Sequence, residues 1–259
     1  MTVFTLERGS APLLISLPHD GRQLPAGLAS RLSEPARALP DTDWHVSRLY
    51  AFARALGASM LIPHYSRYLV DLNRPPDDVS LYPGQNSTGL CPVQRFDGGS
   101  IYRDGQAPNP DEIAQRRERY WQPYHRALAD ELTRLRGEHG RVLLWEAHSI
   151  RAECPFLFAG RLPDFNVGTA DGRSCTPQRQ ARIAAWLAAQ HTYSWVANGR
   201  FKGGYITRHY GRPDAGIDAV QLELAQRNYM DEDSFAWLPD AAARLQERIR
   251  ALLVAALAR

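Results

Sequence analysis

The chain has 259 residues, 44% of them apolar, enough to bury a full core in one large domain rather than two small ones. Its 31 basic and 28 acidic residues nearly cancel and are dispersed, so no basic stripe points to nucleic acid or an anionic membrane surface, and any anion it binds is expected to be small. Cys91, Cys154 and Cys175 form no CxxC pair and are odd in number, which argues against a disulfide framework or a cysteine-rich zinc site and makes a reducing cytoplasm the expected setting.

The amino-terminal stretch has no basic start followed by a long apolar run, so neither secretion nor membrane spanning is expected. Short β-like runs lie at 13–17, 59–63, 68–72, 142–145, 193–197 and 220–224, with helical patterns between them. This alternation predicts an α/β sheet flanked by helices, with residues 1–259 as a single domain, and sets no oligomeric state.

The first helix is expected over 42–56, where Val46, Leu49, Tyr50, Ala53 and Leu56 share a side and Gly57 suits the left-handed position after a helix. A second pattern over 111–136 is interrupted by Pro123, which would kink or divide it. Residues 178–190 and 241–257 also have helical patterns, the latter with a face of Leu245, Ile249, Leu252 and Leu253. The segment 75–107 is rich in Gly, Pro, Asp and Ser, and a loop of that length in a compact domain is expected to cover a site.

Three segments turn polar where metal ligands would be expected. The run Leu-Ile-Ser-Leu leads into Pro18, His19, Asp20 and Gly21, and open α/β sheets bind ligands outside the carboxyl ends of their strands; the alternative is a turn histidine beside an Asp-Gly bend. In Asp41-Thr42-Asp43-Trp44-His45, Asp41 or Thr42 suffices to cap the first helix, leaving Asp43 and His45 as ionisable groups that capping does not require. The run Val-Leu-Leu-Trp ends in Glu146-Ala147-His148-Ser149, where strand alternation puts Glu146 and His148 on one face; Glu146 would orient the imidazole or face the pocket itself.

His19, Asp43 and His148 together would supply two nitrogens and one carboxylate oxygen, the set of a hydrolytic zinc site with a position left for water. Glu223, in the apolar run Ala-Val-Gln-Leu-Glu-Leu, is costly to bury without a partner; a general-base role would explain it, and a solvent-facing edge strand is the alternative. Arg67 and the pair Asn73-Arg74 offer forks that match a carboxylate, and Gly203-Gly204 with Arg208 adds another arginine beside glycines that permit close backbone approach. The bland counterpart for each arginine is a surface ion pair.

Taken in order, Pro18-His19-Asp20-Gly21, Asp41-Thr42-Asp43-Trp44-His45, Arg67 with Asp71-Leu72-Asn73-Arg74, Ala147-His148-Ser149, Phe201-Lys202-Gly203-Gly204 and Gln221-Leu222-Glu223 resemble the N-formylglutamate amidohydrolase family. The resemblance runs from about Leu13 to Tyr229. It implies a three-layer mixed sheet between helices, similar to the zinc carboxypeptidase-like fold. It also implies His19, Asp43 and His148 at a zinc or other divalent ion, Glu223 as the catalytic carboxylate, and Asn73 with Arg74 near a substrate carboxylate. Asp43 stands where carboxypeptidases have a glutamate close behind the first histidine, so Asp41, His45 or Glu146 could replace it. The implied reaction is hydrolysis of N-formyl-L-glutamate to formate and L-glutamate in histidine degradation. Rival readings are an amidohydrolase for another N-acyl acidic amino acid or a γ-glutamyl peptide, and a zinc-free binding protein for acidic amino acids.

Overall fold

The computed structural model describes residues 2–80, 84 and 88–258. Among them seven strands form one sheet: β1 (Phe4–Glu7), β2 (Leu13–Ser16), β3 (Ser59–Pro63), β4 (Val142–Ile150), β5 (Phe165–Gly168), β6 (Trp195–Ala197) and β7 (Ile217–Ala225). Their order is β1-β3-β2-β4-β7-β5-β6. The centre, β3-β2-β4-β7, is parallel, while β1 runs antiparallel to β3 and β5 antiparallel to β7. The chain leaves β2 to build β3 on one side and returns to build β4 on the other, so the strand order reverses at β2, the kind of crevice where open α/β sheets bind ligands.

Helices cover both faces: α1 (Leu28–Arg31), α2 (Val46–Leu49), α3 (Pro110–Arg116), α4 (Gln122–His139), α5 (Pro177–Ala189), α6 (Tyr205–Tyr210) and α7 (Pro239–Leu257). Alternation along the strands sorts the core into two layers. Leu13, Ile15, Leu143, Trp145, Val220 and Leu222 pack against α2, α5 and α7. Leu14, Leu61, Leu144 and Ala219 pack against α4 and the segments around Tyr68 and Tyr102. All nine residues of β4 are buried, as a parallel strand covered on both faces must be, and Trp145 donates its indole N–H to Tyr50 Oη at 3.0 Å. No helix of the described residues is long and apolar enough to cross a membrane.

The expected strands at 13–17 and 59–63 are present, and the runs at 142–145 and 220–224 are parts of longer strands, the first continuing to Ile150. Residues 68–72 form no strand. They make a turn closed by Leu69 N–H on Ser66 O and by the Arg67–Asp71 ion pair at 2.7 Å, which lets Tyr68, Leu69 and Val70 bury without a ladder partner. The first helix is also corrected. His45 adopts a left-handed φ of 64°, so α2 begins only at Val46 and passes into a 3-10 turn over Ala51–Leu56 before Gly57, which is left-handed as expected. Neither Asp41 nor Thr42 caps α2; Asp20 Oδ1, after β2, accepts from Ser47 N at 3.0 Å.

The pattern over 111–136 is continuous helix with one π turn at Arg117–Trp121, which ends just ahead of Pro123. The wide turn accommodates the proline without a break. It also brings Trp121 onto His125, with ring centroids 3.7 Å apart. His125 is buried, with Nε2 on Leu72 O at 2.8 Å and Nδ1 on Tyr210 Oη at 3.0 Å. Burial lowers its pKa from 6.5 to about 3. The folded state therefore binds this proton less well than the unfolded chain, so the group's contribution is complete above pH 6.5 and is lost as pH falls toward 3. Urea midpoints are expected to show a loss of about 2 kcal/mol between pH 8 and pH 5 from this residue. His125→Gln should flatten that limb, and an identical pH slope in the variant would assign the acid lability elsewhere.

Candidate active site

The register of the central strands assembles the site. His148 on β4 lies opposite Glu223 on β7, and Glu146 opposite Gln221, all on the sheet face away from α5 and α7. His19 follows β2, which pairs with the other edge of β4. Asp43 reaches in from the segment before α2, fixed by its own N–H on His19 O at 3.1 Å. One ligand atom from each of His19, Asp43 and His148 lies within 4.8 Å of the others, and all three residues are buried.

Both imidazoles are oriented from behind. His19 Nε2 is 2.7 Å from Asp71 Oδ1, whose other oxygen takes Arg67 Nη2 at 2.7 Å. His148 Nε2 is 2.7 Å from Glu146 Oε1, and Glu146 Oε2 accepts both the amide N–H and the hydroxyl of Thr207 at the start of α6. With each Nε2 held by a carboxylate, the Nδ1 atoms face Asp43 Oδ2, at 3.7 Å from His19 and 2.9 Å from His148. A carboxylate behind each histidine fixes its tautomer and raises its basicity, an arrangement that fits a metal ion at the three donors.

Electrostatics follow from these contacts. Burial pushes the Asp43 carboxyl upward, but hydrogen bonds from His148 and His19 outweigh it and hold the group well below the usual range. Burial disfavours the His148 cation, yet Asp43 and Glu146 together raise its pKa well above the ordinary value. Asp71 is likewise held low against burial, by His19, Arg67 and Arg74. Glu223 is the exception: burial, with Asp43 nearby, raises it to about 8. Because β7 is interior and Glu223 is buried, the edge-strand alternative is overturned.

A cavity continuous with solvent is lined by His19, Asp43, His148 and Glu223 together with Arg67, Asn73, Arg74 and Gly204. Asn73 links its parts, with Nδ2 3.2 Å from His148 Nε2 and Oδ1 accepting Ile206 N at 2.9 Å. Gly204 is required there, since a Cβ would lie 2.3 Å from Asn73 Nδ2. Thr88 and Phe96 of the long 75–107 segment also line the cavity: Thr88 O accepts Arg74 Nε at 2.7 Å, and Arg67 lies over the Phe96 ring at 4.7 Å. Residues 81–83 and 85–87 of that segment lie outside the described residues.

Three sequence candidates are placed elsewhere. Arg208 turns its Nε onto Gly203 O at 2.8 Å and lines a separate concavity with Ala170, Arg173, Ser174 and Gly211. Asp41 accepts from Tyr68 Oη at 2.7 Å and Phe96 N at 3.0 Å, so its carboxylate props the loop. His45 points to Phe235 O, 2.8 Å away, because its left-handed backbone turns it from the cavity. Glu146 lies behind His148 rather than in the cluster of three. Sequence reasoning assigned no role to Asp71 or Gln221, although both stand in the segments that carry the resemblance, nor to Thr207 or Arg200. Gln221, two residues before Glu223 on one strand face, was accessible to alternation, whereas Arg200 sits in an irregular connection with no periodic signal.

A mixed α/β fold with a buried histidine–carboxylate cluster at the carboxyl ends of parallel strands, beside a buried carboxylate and arginines, defines a candidate metal centre of hydrolytic type. The chain belongs to the N-formylglutamate amidohydrolase family, whose model matches residues 11–230. It is 55% identical over 257 residues to an N-formylglutamate deformylase of Pseudomonas aeruginosa and 50% identical to one of Pseudomonas putida, in each case across 99% of this chain and 96% of the relative. A crystal structure of N-formylglutamate amidohydrolase from Ralstonia eutropha JMP134 superposes with a TM-score of 0.82 at 26% identity, covering 99% of this chain and 96% of that one. A gene product of Agrobacterium tumefaciens shares the fold, with a TM-score of 0.70 at 18% identity over 98% of this chain and 96% of that one.

Proposed function

We propose that this chain is a single-domain, zinc-dependent deformylase that hydrolyses N-formyl-L-glutamate to formate and L-glutamate, the closing step of a histidine-degradation route. The observation that carries the reading is the convergence of His19, Asp43 and His148 in a cavity that also holds Glu223 and an arginine rim, in a chain 55% identical to a curated deformylase. In the same reading the fold is of the zinc carboxypeptidase-like type, a likeness supported by metal candidates at the carboxyl ends of central parallel strands.

His19, Asp43 and His148 would hold the ion, which when bound supplies a Lewis acid that polarises the formyl carbonyl and acidifies water. Glu223 takes the proton of the attacking water and returns it to the departing glutamate nitrogen. Its burial suits this, because a carboxylate whose pKa rises toward the working pH is a stronger base than a surface one. Arg67, fixed by Asp71 and stacked on Phe96, sets positive charge beside Asp43 where negative charge develops on the carbonyl oxygen. Asn73 and Arg74 hold a substrate carboxylate, with Arg74 itself steadied by Thr88.

Formate release by the purified, zinc-loaded protein tests this reading. Turnover of N-formyl-L-glutamate at least tenfold above that of its N-acetyl and N-succinyl counterparts is expected from a site shaped for the smallest acyl group. Equal or better turnover of the larger acyl groups would move the chain to a broader N-acyl amino-acid hydrolase.

A further inference from the structure

We propose that Arg200 receives the side-chain carboxylate of the substrate and so sets the preference for an acidic over an amide side chain; this rests on the deformylase reading. A dicarboxylate needs two cationic anchors, and among the described residues three arginines line the cavity: Arg67, Arg74 and Arg200. Arg67 is buried beside the donor cluster, paired with Asp71 at 2.7 Å and Asp43 at 3.7 Å, where it faces the reacting carbonyl rather than a carboxylate. Arg74 follows Asn73, whose Nδ2 lies 3.2 Å from His148 Nε2, so its segment packs against the histidine cluster. That position suits the α-carboxylate, which sits on the carbon bearing the scissile nitrogen.

Arg200 enters from the connection between β6 and α6, with Nε on Leu157 O at 3.1 Å and its guanidinium 5.6 Å from the Phe201 ring centre. Ile150, Leu157 and Phe201 line the same cavity and provide an apolar wall for the methylenes of a glutamate side chain. The neighbouring Lys202, paired with Asp171 at 3.0 Å, and Arg208, on the other concavity, are not among the residues that line this cavity. Arg200 is thus the arginine of the cavity that lies at this apolar wall, where the far end of a glutamate substrate would rest.

The test compares zinc-loaded wild type with Arg200→Gln and Arg200→Lys. N-formyl-L-glutamate and N-formyl-L-glutamine serve as substrates, and binding of L-glutamate and L-glutamine is followed by calorimetry. Arg200→Gln is expected to lose roughly 30-fold in kcat/KM on the acid, mainly through KM, and less than about threefold on the amide. Arg200→Lys should recover only part of that loss, because an ammonium does not reproduce the planar fork. Equal losses on both substrates, or an unchanged preference for the acid, would overturn the assignment. Should wild type hydrolyse neither formyl compound, the deformylase reading falls and binding decides for Arg200. Weaker L-glutamate binding with L-glutamine unaffected upholds it, and L-glutamate bound by Arg200→Gln as tightly as by wild type refutes it. Arg200→Lys carries the test if the Gln variant does not fold.

Discussion

Glu223→Gln is expected to lower kcat for N-formyl-L-glutamate by roughly a thousandfold, the scale of a lost general base, while zinc content stays at the wild-type level. The reasoning is geometric before it is electrostatic. Glu223 is registered opposite His148 on the neighbouring parallel strand, lines the cavity, and is not one of the three residues whose donor atoms cluster. The amide is isosteric but cannot accept the proton of the attacking water or return it to the departing nitrogen. The residue is buried, and burial holds its carboxyl toward the neutral form, which the uncharged isosteric amide matches, so the variant should fold and melt no lower than wild type. Metal analysis with steady-state kinetics checks the point. A variant that keeps a tenth or more of wild-type kcat would remove Glu223 from the proton-transfer role.

Stripping the metal should abolish formate release and also lower thermal stability. An ion that binds the folded protein but not the unfolded chain contributes about 2.7 kcal/mol at a hundred times its dissociation constant. For a chain of this size that corresponds to roughly 5 to 10 °C in melting temperature. Zinc added back should restore both properties to wild type. In Asp43→Ala it should restore neither, because only the two imidazoles remain of the converging donors. Calorimetric melting with and without chelator reads the stability arm independently of activity. An apoprotein that melts with the holoprotein, or an Asp43→Ala variant that binds zinc as tightly as wild type, would exclude the cluster as the metal site.

Sequence determined a good part of this protein by itself. Apolar runs and their polar ends located the central strands and set His19, His148 and Glu223 at or near strand carboxyl ends, because a parallel strand covered on both faces must be apolar until it leaves the sheet. The period of the last helix gave the face that packs α7 on the sheet. Strands β1 and β5 escaped notice because four residues at antiparallel positions carry too little pattern to separate them from loop.

Tertiary structure decided the rest, through contacts between residues far apart in the chain. Nothing local distinguishes Asp41 from Asp43; the first is drawn to Tyr68 and Phe96 and the second to two histidines, because a single left-handed residue at His45 redirects the chain between them and α2. Glu146 became a support for His148 only when α6 brought Thr207 across 61 positions to hold its other oxygen. Among the arginines, Arg208 and Arg200 look alike in sequence, and only the path of the β6–α6 connection turns one to a backbone carbonyl beside another concavity and lines the candidate site with the other. Periodicity records burial, a one-dimensional property. Convergence of charges depends on which buried polar groups can satisfy one another, and that is settled only when the whole chain has packed.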